Sequence, residues 1–212
     1  MDMRAQPVEI TAEDGVVLRG QRWGDGPDWI LLLHETGEAR DLDDWRPLLP
    51  SILIPERTVL TIDLRGHGAS DGTWNSAQWS CADIALFVAF ARSNGALWIA
   101  VAGAGDSATS ILEYSSNHPV DASILLSPTY RDGQASVLRG RGEAKLFAVG
   151  SRSEQLNADI REARNHSIGW AMLVSLPTDA QGIDLLSGPY SSQLVERIVT
   201  FLAEQRMLAR RT

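Results

Sequence analysis

The amino-acid sequence predicts a three-layer α/β fold, in which a mostly parallel sheet with helices on both faces follows an antiparallel hairpin. Two strand-like segments, Pro7–Ala12 and Val16–Trp23, flank the turn Glu13-Asp14-Gly15 and predict the hairpin. The run WILLL at Trp29–Leu33 is apolar at every position, as expected of a strand that is buried on both faces. Strand-like and helix-like segments then alternate to the end of the chain, which favours a parallel sheet.

The later elements are predicted from apolar periodicity and from the residues that end helices. The segment Asp43–Leu53 is helix-like but contains Pro47 and Pro50, so we expect a short or broken helix there. The other predicted elements are the strand Arg57–Asp63, the helix Ser76–Arg92, a strand beginning at Trp98, a helix to about Ser116, the strands Ala122–Leu126 and Lys145–Val149, a helix to about Arg164, the strand Trp170–Leu176 and the helix Ser192–Met207. Without an internal repeat or a low-complexity linker, residues 1–212 are expected to form a single domain.

Composition and charge exclude several classes of function. The chain has 212 residues with a formal net charge of −8, whereas a nucleic-acid partner would require a basic patch. Cys81 is the single cysteine and cannot form an internal disulfide, which favours a reducing compartment such as the cytoplasm. The first residues lack a signal-peptide pattern, and no apolar run approaches the roughly 20 residues of a membrane span. We therefore expect a soluble cytoplasmic protein without nucleic-acid or membrane partners.

The stretch WIAVAGAGDSAT at Trp98–Thr109 joins a predicted strand to a predicted helix through glycines. Gly103, Gly105 and Ala108 fit the G-x-G-x-x-A fingerprint of dinucleotide-binding folds. That fingerprint also needs an acidic residue at the end of the next strand, but this strand ends in Leu-Leu-Ser-Pro and Asp121 lies at its beginning. We therefore expect no nucleotide cofactor, and no cluster of His, Cys, Asp and Glu has the spacing of a metal site.

Motifs along nearly the whole chain resemble the α/β-hydrolase superfamily. The most specific is TIDLRGHGASDG, which contains the family's D-x-R-G-x-G-x-S segment at Asp63–Ser70. It is preceded by LLLHETG and Trp45, and followed by SSNHP, LLSP and QGIDLL. The resemblance implies a sheet of about eight strands and, because the connection after Ser127 is short, no lid domain.

The resemblance also implies where a catalytic triad would lie. The family's nucleophile occupies the centre of a G-x-S-x-G elbow, and the best register places Gly105 at that position. In the same register, Ser153 stands at the position of the acid and Gln181 at that of the histidine base. Glycine offers no nucleophile, and glutamine cannot relay a proton near neutral pH. The main prediction is therefore a protein that has lost hydrolytic activity and binds a small ligand or a protein partner.

An alternative alignment of the chain with the family's elbow predicts an active serine hydrolase. Gly105-Asp106-Ser107-Ala108 resembles the G-D-S-A-G elbow of the hormone-sensitive-lipase-like branch, which would make Ser107 the nucleophile. Serine needs an adjacent base, and His34 is the histidine best placed along the chain to reach it, with Glu154 as the remaining acid. The alternative prediction is an esterase or lactonase that acts on small carboxylic esters. A small packing residue is the simpler interpretation of Ser107.

A third prediction concerns two backbone N–H groups, those of Thr36 and Asp106, where the resemblance implies an oxyanion hole. We call this pair of N–H groups the carbonyl cradle; a non-hydrolytic enzyme could use it alone. The carboxylates of Glu35 and Asp106 lie at the same mouth, where they disfavour anions, although the simplest expectation is that both point to solvent. Trp45 and Trp74 follow the site loops and are candidates for lining a pocket, with core packing as the simpler role.

Overall fold

An eight-stranded sheet forms the centre of the computed structural model, which describes residues 4–73, 81–131 and 133–211. The strand order is β1-β2-β4-β3-β5-β6-β7-β8. Strand β2 runs antiparallel to both of its neighbours, and all the other pairs are parallel. The strands are β1 (Gln6–Thr11), β2 (Val17–Trp23), β3 (Asp28–Leu33), β4 (Arg57–Ile62), β5 (Trp98–Ala104), β6 (Ala122–Leu126), β7 (Ala144–Gly150) and β8 (Ala171–Leu176).

Helices cover both faces of the sheet. They are α1 (Leu49–Ile52), α2 (Cys81–Ser93), α3 (Asp106–Asn117), α4 (Glu154–His166) and α5 (Ser191–Ala209), with 3₁₀ segments at Leu42–Trp45, Gln134–Ser136 and Gly182–Leu186. Apolar residues of α2, α3 and α4 share one core cluster, and those of α1, α5 and two of the 3₁₀ segments share the other. The predicted three-layer fold is therefore confirmed.

Strand β3 shows why this sequence gives a sheet that is buried on both faces. Its side chains alternate between the two cores, with Leu31 and Leu33 in the cluster of α2–α4 and Ile30 and Leu32 in the opposite one. Every residue of β3 is buried, which accounts for the continuous apolar run in the sequence.

Two predicted helices can be compared with the observed elements. The helix-like stretch Asp43–Leu53 is broken as expected, into a 3₁₀ turn and the four-residue α1, because Pro50 can only occupy the first turn of a helix. Helix α2 begins at Cys81 among the described residues, and the predicted start at Ser76 lies outside them. Within the described residues, no helix is long and apolar enough to cross a membrane.

The D-x-R-G-x-G-x-S segment after β4 is a structural clamp beside the sheet. Both carboxylate oxygens of Asp63 accept backbone hydrogen bonds, from Leu42 N at 2.8 Å and from Ala69 N at 2.7 Å. Gly68 has φ of +49°, and a Cβ there would overlap the Asp63 carboxylate, so this turn requires glycine. The clamp fixes the loops that follow β3 and β4.

Arg65 of the same segment joins the β4 loop to α2. Its guanidinium donates to both oxygens of Asp83, at 2.6 and 2.8 Å, and also bonds Asp14 at the hairpin turn. Such a two-pronged pair fixes geometry as well as charge. Arg65 and Asp63 therefore both have structural roles in holding these loops together.

Candidate functional site

Gly105 forms a sharp turn between β5 and α3. Its φ of +54° and ψ of −124° form a combination that residues with a side chain rarely adopt. The family's nucleophile lies on a strained strand-to-helix turn of this kind. The turn is held by the Gly105 N–H, which donates to Leu126 O at 2.9 Å. The backbone at Gly105 therefore has the shape of a nucleophile elbow, without a nucleophile side chain.

Ser107 lies two residues further on and is fully buried. Its hydroxyl donates to the backbone carbonyl of His34 at 2.5 Å. Helix α3 begins so close to β5 that a Cβ on Gly103 would lie 2.9 Å from Ala108 N. Ser107 fits this crowded contact as a small packing residue, and its hydroxyl is bonded to a backbone carbonyl.

The imidazole of His34 is also unavailable as a base for Ser107. Its Nε2 accepts the Leu64 N–H at 2.9 Å, so Nδ1 carries the proton and donates to Glu35 O at 2.7 Å. Burial lowers the pKa of this histidine to about 4. Ser107 bonds to the backbone carbonyl of His34 and not to its imidazole, so the structure does not form the predicted catalytic pair.

Glu35 turns inward over the elbow, contrary to the expectation that it points to solvent. A Cβ placed on Gly105 would lie 2.5 Å from Oε1 of Glu35 and 2.9 Å from its Cδ. On its other side, the carboxylate packs against Gly182, where a Cβ would overlap Oε2. Oε2 also accepts the Ile183 N–H at 3.3 Å. The Glu35 carboxylate thus fills the space in which a nucleophile side chain on residue 105 would stand.

The surroundings of Glu35 raise the pKa of its carboxyl group. Burial is the main cause, and the negative charges of Asp184 and Asp106 act in the same direction. The Ile183 N–H and the Arg40 guanidinium oppose the shift. Arg40 itself pairs with Asp184 at 3.0 Å rather than with Glu35. A carboxyl group with a raised pKa accepts a proton more readily than an ordinary one.

Asp106, the first residue of α3, is exposed but held in place. One of its carboxylate oxygens accepts the Thr36 hydroxyl at 3.1 Å, and the other accepts the Thr129 hydroxyl. The backbone N–H of Asp106 lies in the first turn of α3, where it has no acceptor within the helix. The two threonine bonds connect the loops after β3 and β6 across the front of the elbow.

Gln181 is bonded to the end of β7. Its Oε1 accepts the Gly150 N–H at 3.1 Å and the Ser127 hydroxyl at 2.8 Å, while its Nε2 donates to Gly150 O at 2.8 Å. Ser127 has φ of +46° and is the non-glycine residue with positive φ among those described. The amide at the histidine's predicted position therefore ties three strand ends together.

The remaining candidates lie apart from these contacts. Ser153 precedes α4 without a side-chain capping bond, and Glu154 is exposed at the start of that helix. Among the described residues, neither bonds to Gln181, so the fallback role of Glu154 as an acid has no support in the contacts. Trp45 is fully buried in the core, which is the simpler of its two expected roles, rather than exposed in a pocket. Trp74 lies outside the described residues.

The edge around Glu35 opens to solvent. Gly37, Asp106 and Thr129 are exposed there, and Glu35 and Thr36 are half-buried. Three surface clefts of the described residues lie elsewhere: beside β1 and β2, between α1 and α5, and at the amino-terminal ends of β5 and β8. No group of three or more His, Cys, Asp or Glu side chains in the described part of the chain could hold a metal ion.

Comparison with solved structures identifies the architecture. The esterase Pf2001 of Pyrococcus furiosus superposes with a TM-score of 0.78 at 17% identity, over 95% of this chain and 93% of that one. Est1E of Butyrivibrio proteoclasticus, solved with ferulic acid bound, gives 0.74 at 16% identity, over 94% and 99%. The chain has the α/β-hydrolase fold. At these identities the likeness shows the fold and leaves the chemistry to the residues.

The sequence comparisons are sparser. The chain matches no model of a known protein family. The bifunctional esterase/perhydrolase DCH of Acinetobacter calcoaceticus is 28% identical over 121 residues. That match covers 56% of this chain and 43% of the relative, so it spans less than half of the relative's length. Proteins named as esterases are thus found by both comparisons.

The structure adds to the site what sequence reasoning missed. Glu35 was predicted at the mouth, but its position in the nucleophile's space depends on Gly105 and Gly182, which leave room for it. The roles of Ser127 and Thr129 were not predicted. A signal for Glu35 does exist in the sequence, since a long acidic side chain follows His34 where a buried strand ends.

Proposed function

We propose that the chain binds a small carbonyl compound of the ester or lactone class at the carbonyl cradle, without using a serine nucleophile. The observation that carries this proposal is the backbone of Gly105, which keeps the turn of a nucleophile elbow where no side chain can attack. The kept turn supports this role for the Asp106 N–H, because in this fold the N–H that follows the nucleophile position donates to the carbonyl oxygen.

Two observations oppose the serine-hydrolase interpretation based on Ser107. The hydroxyl is fully buried and is committed to the His34 carbonyl. Among the described residues, the hydrogen bonds given for the histidine rings go to other groups, and an unassisted serine hydroxyl is a poor nucleophile.

Ester hydrolysis by another group is the second candidate function. The names of the relatives favour it, since both Pf2001 and DCH are described as esterases. The carbonyl cradle is the part of the site that hydrolysis and simple binding would share. The two functions differ in whether a group beside the cradle activates water.

A titration followed by amide NMR tests the binding proposal. We expect γ-butyrolactone to shift the amide resonances of Thr36 and Asp106, because its carbonyl oxygen accepts both N–H groups. Tetrahydrofuran is the matched control, since it has the same ring without the carbonyl, and we expect no shift at these two amides. Equal shifts with both compounds, or none with the lactone, would contradict the proposal.

A further inference from the structure

The Glu35 carboxylate stands in the space that a nucleophilic side chain would need. A serine oxygen on residue 105 would be bonded to a Cβ that lies 2.5 Å from Oε1 of Glu35. A carbonyl group bound at the cradle of the α/β-hydrolase fold is presented to that space. The carboxylate oxygen is thus the side-chain oxygen placed to face the carbon of a bound carbonyl group.

The contacts of Glu35 do not fully occupy its carboxylate. Among the described residues, its one hydrogen-bond donor is the Ile183 N–H, at the long distance of 3.3 Å. A carboxylate has about four acceptor sites. For comparison, Asp63 and Asp106 each use both carboxylate oxygens in bonds to other residues. Glu35 keeps acceptor capacity at a half-buried position that solvent reaches.

We propose that Glu35 is a general base in this site and activates a water molecule to attack an ester or lactone carbonyl held at the cradle. This inference rests on the proposed function, because it needs the carbonyl to be bound there. The charged groups that act on Glu35 are Asp106 from α3, Asp184 from the 3₁₀ segment after Gln181, and Arg40 from the loop after β3.

The step balances without a cofactor. The water oxygen bonds to the carbonyl carbon while its proton passes to Oε1 of Glu35, and the negative charge that forms on the carbonyl oxygen is stabilised by the N–H groups of Thr36 and Asp106. The bond from carbon to the alcohol oxygen then breaks, and this oxygen takes the proton from Glu35. An ester and water thus give a carboxylic acid and an alcohol, with Glu35 ionised again.

Phenyl acetate hydrolysis in a pH-stat tests this role. The protein is first treated with a fluorophosphonate, which silences contaminating serine esterases. We expect Glu35→Gln to lower kcat/KM about 100-fold or more, in line with the usual contribution of a general base. Glu38→Gln is the matched control, because Glu38 lies exposed in the same loop and its replacement should leave the rate unchanged.

The pH profile separates a base from a structural residue. The wild-type rate should rise with pH as Glu35 ionises and then reach a plateau, and Glu35→Gln should lack this limb. If circular dichroism shows that Glu35→Gln does not fold, Glu35→Asp is used instead. We expect this variant to have a reduced rate that still rises with pH, because it keeps a carboxyl group. A single turnover in H₂¹⁸O should leave Glu35 unlabelled, and label in its carboxylate would instead show a covalent acyl intermediate and overturn the base role.

The outcomes distinguish the two proposals. Turnover that is absent, or that survives Glu35→Gln unchanged, overturns the base role even where γ-butyrolactone shifts the Thr36 and Asp106 amides. If those shifts are missing, the binding proposal itself has failed. Fluorophosphonate-resistant turnover that depends on Glu35 and not on Glu38 supports both.

Discussion

Replacing Gly105 by alanine probes the position of Glu35 directly. The substitution places a Cβ 2.5 Å from Oε1 of Glu35 at a backbone conformation that strains any side chain. The backbone strain costs about 1–3 kcal/mol. Glu35 must also swing away and lose its bond to the Ile183 N–H, for about 1 kcal/mol more. We therefore expect Gly105→Ala to lower the free energy of unfolding by about 2–4 kcal/mol.

The contribution of Glu35 is measured by a double-mutant cycle in urea. With Glu35→Ala as the background, the collision is gone and only the backbone strain remains, so Gly105→Ala should cost about 1 kcal/mol less than in the wild type. Gly133→Ala is the control, because Gly133 also has positive φ but has nothing within 4 Å of its added Cβ. Its cost, about 1 kcal/mol from the left-handed backbone alone, should not change with Glu35.

The result that would refute this reasoning is additivity. If the costs of Gly105→Ala and Glu35→Ala add to within about 0.3–0.5 kcal/mol, the two residues do not share the space. A coupling of similar size between Gly133 and Glu35 would show that the cycle reports something other than contact.

Three further predictions concern the contacts around the site. Ser107→Ala should lower the free energy of unfolding by about 1–3 kcal/mol, because it leaves the buried His34 carbonyl unpaired, and should leave ester turnover unchanged; loss of turnover in a folded variant would restore Ser107 as a candidate nucleophile. The folded state lowers the pKa of His34 from 6.5 to about 4, so the unfolded chain binds a proton first and stability should fall as pH drops from 6.5 towards 4. Urea midpoints over that range check this, and a His34→Gln variant should show a shallower fall; an equal slope would contradict it. Asp83→Ala should lower the free energy of unfolding by about 2–3 kcal/mol, because Arg65 loses a two-pronged partner that is almost fully buried. An unchanged midpoint of thermal unfolding would contradict the structural role of Asp63–Ser70.

The fold could be predicted because its signals are local. A strand that is buried on both faces must be apolar at every position, and WILLL satisfies this at Trp29–Leu33. The broken helix before β4 was predictable for the same reason, because the ring of Pro50 fixes its φ and removes its N–H donor in any tertiary context.

The site was predicted less completely because side-chain direction depends on distant residues. The sequence places Glu35 at the mouth, but its inward turn requires glycines at positions 105 and 182, which come from the turn after β5 and from the segment after β8. The burial of Ser107 likewise follows from the close contact of α3 with β5 and from the His34 carbonyl. The spacing of residues along the chain does not show that Glu35 lies against Gly105 or that Ser107 lies against the His34 carbonyl.

Intact-mass spectrometry after fluorophosphonate treatment tests most directly whether the site works without a serine nucleophile. The folded wild-type protein should keep its mass, because Gly105 offers no hydroxyl and Ser107 is buried against the His34 carbonyl. A stoichiometric adduct that disappears in Ser107→Ala would contradict the account and make the chain a serine hydrolase.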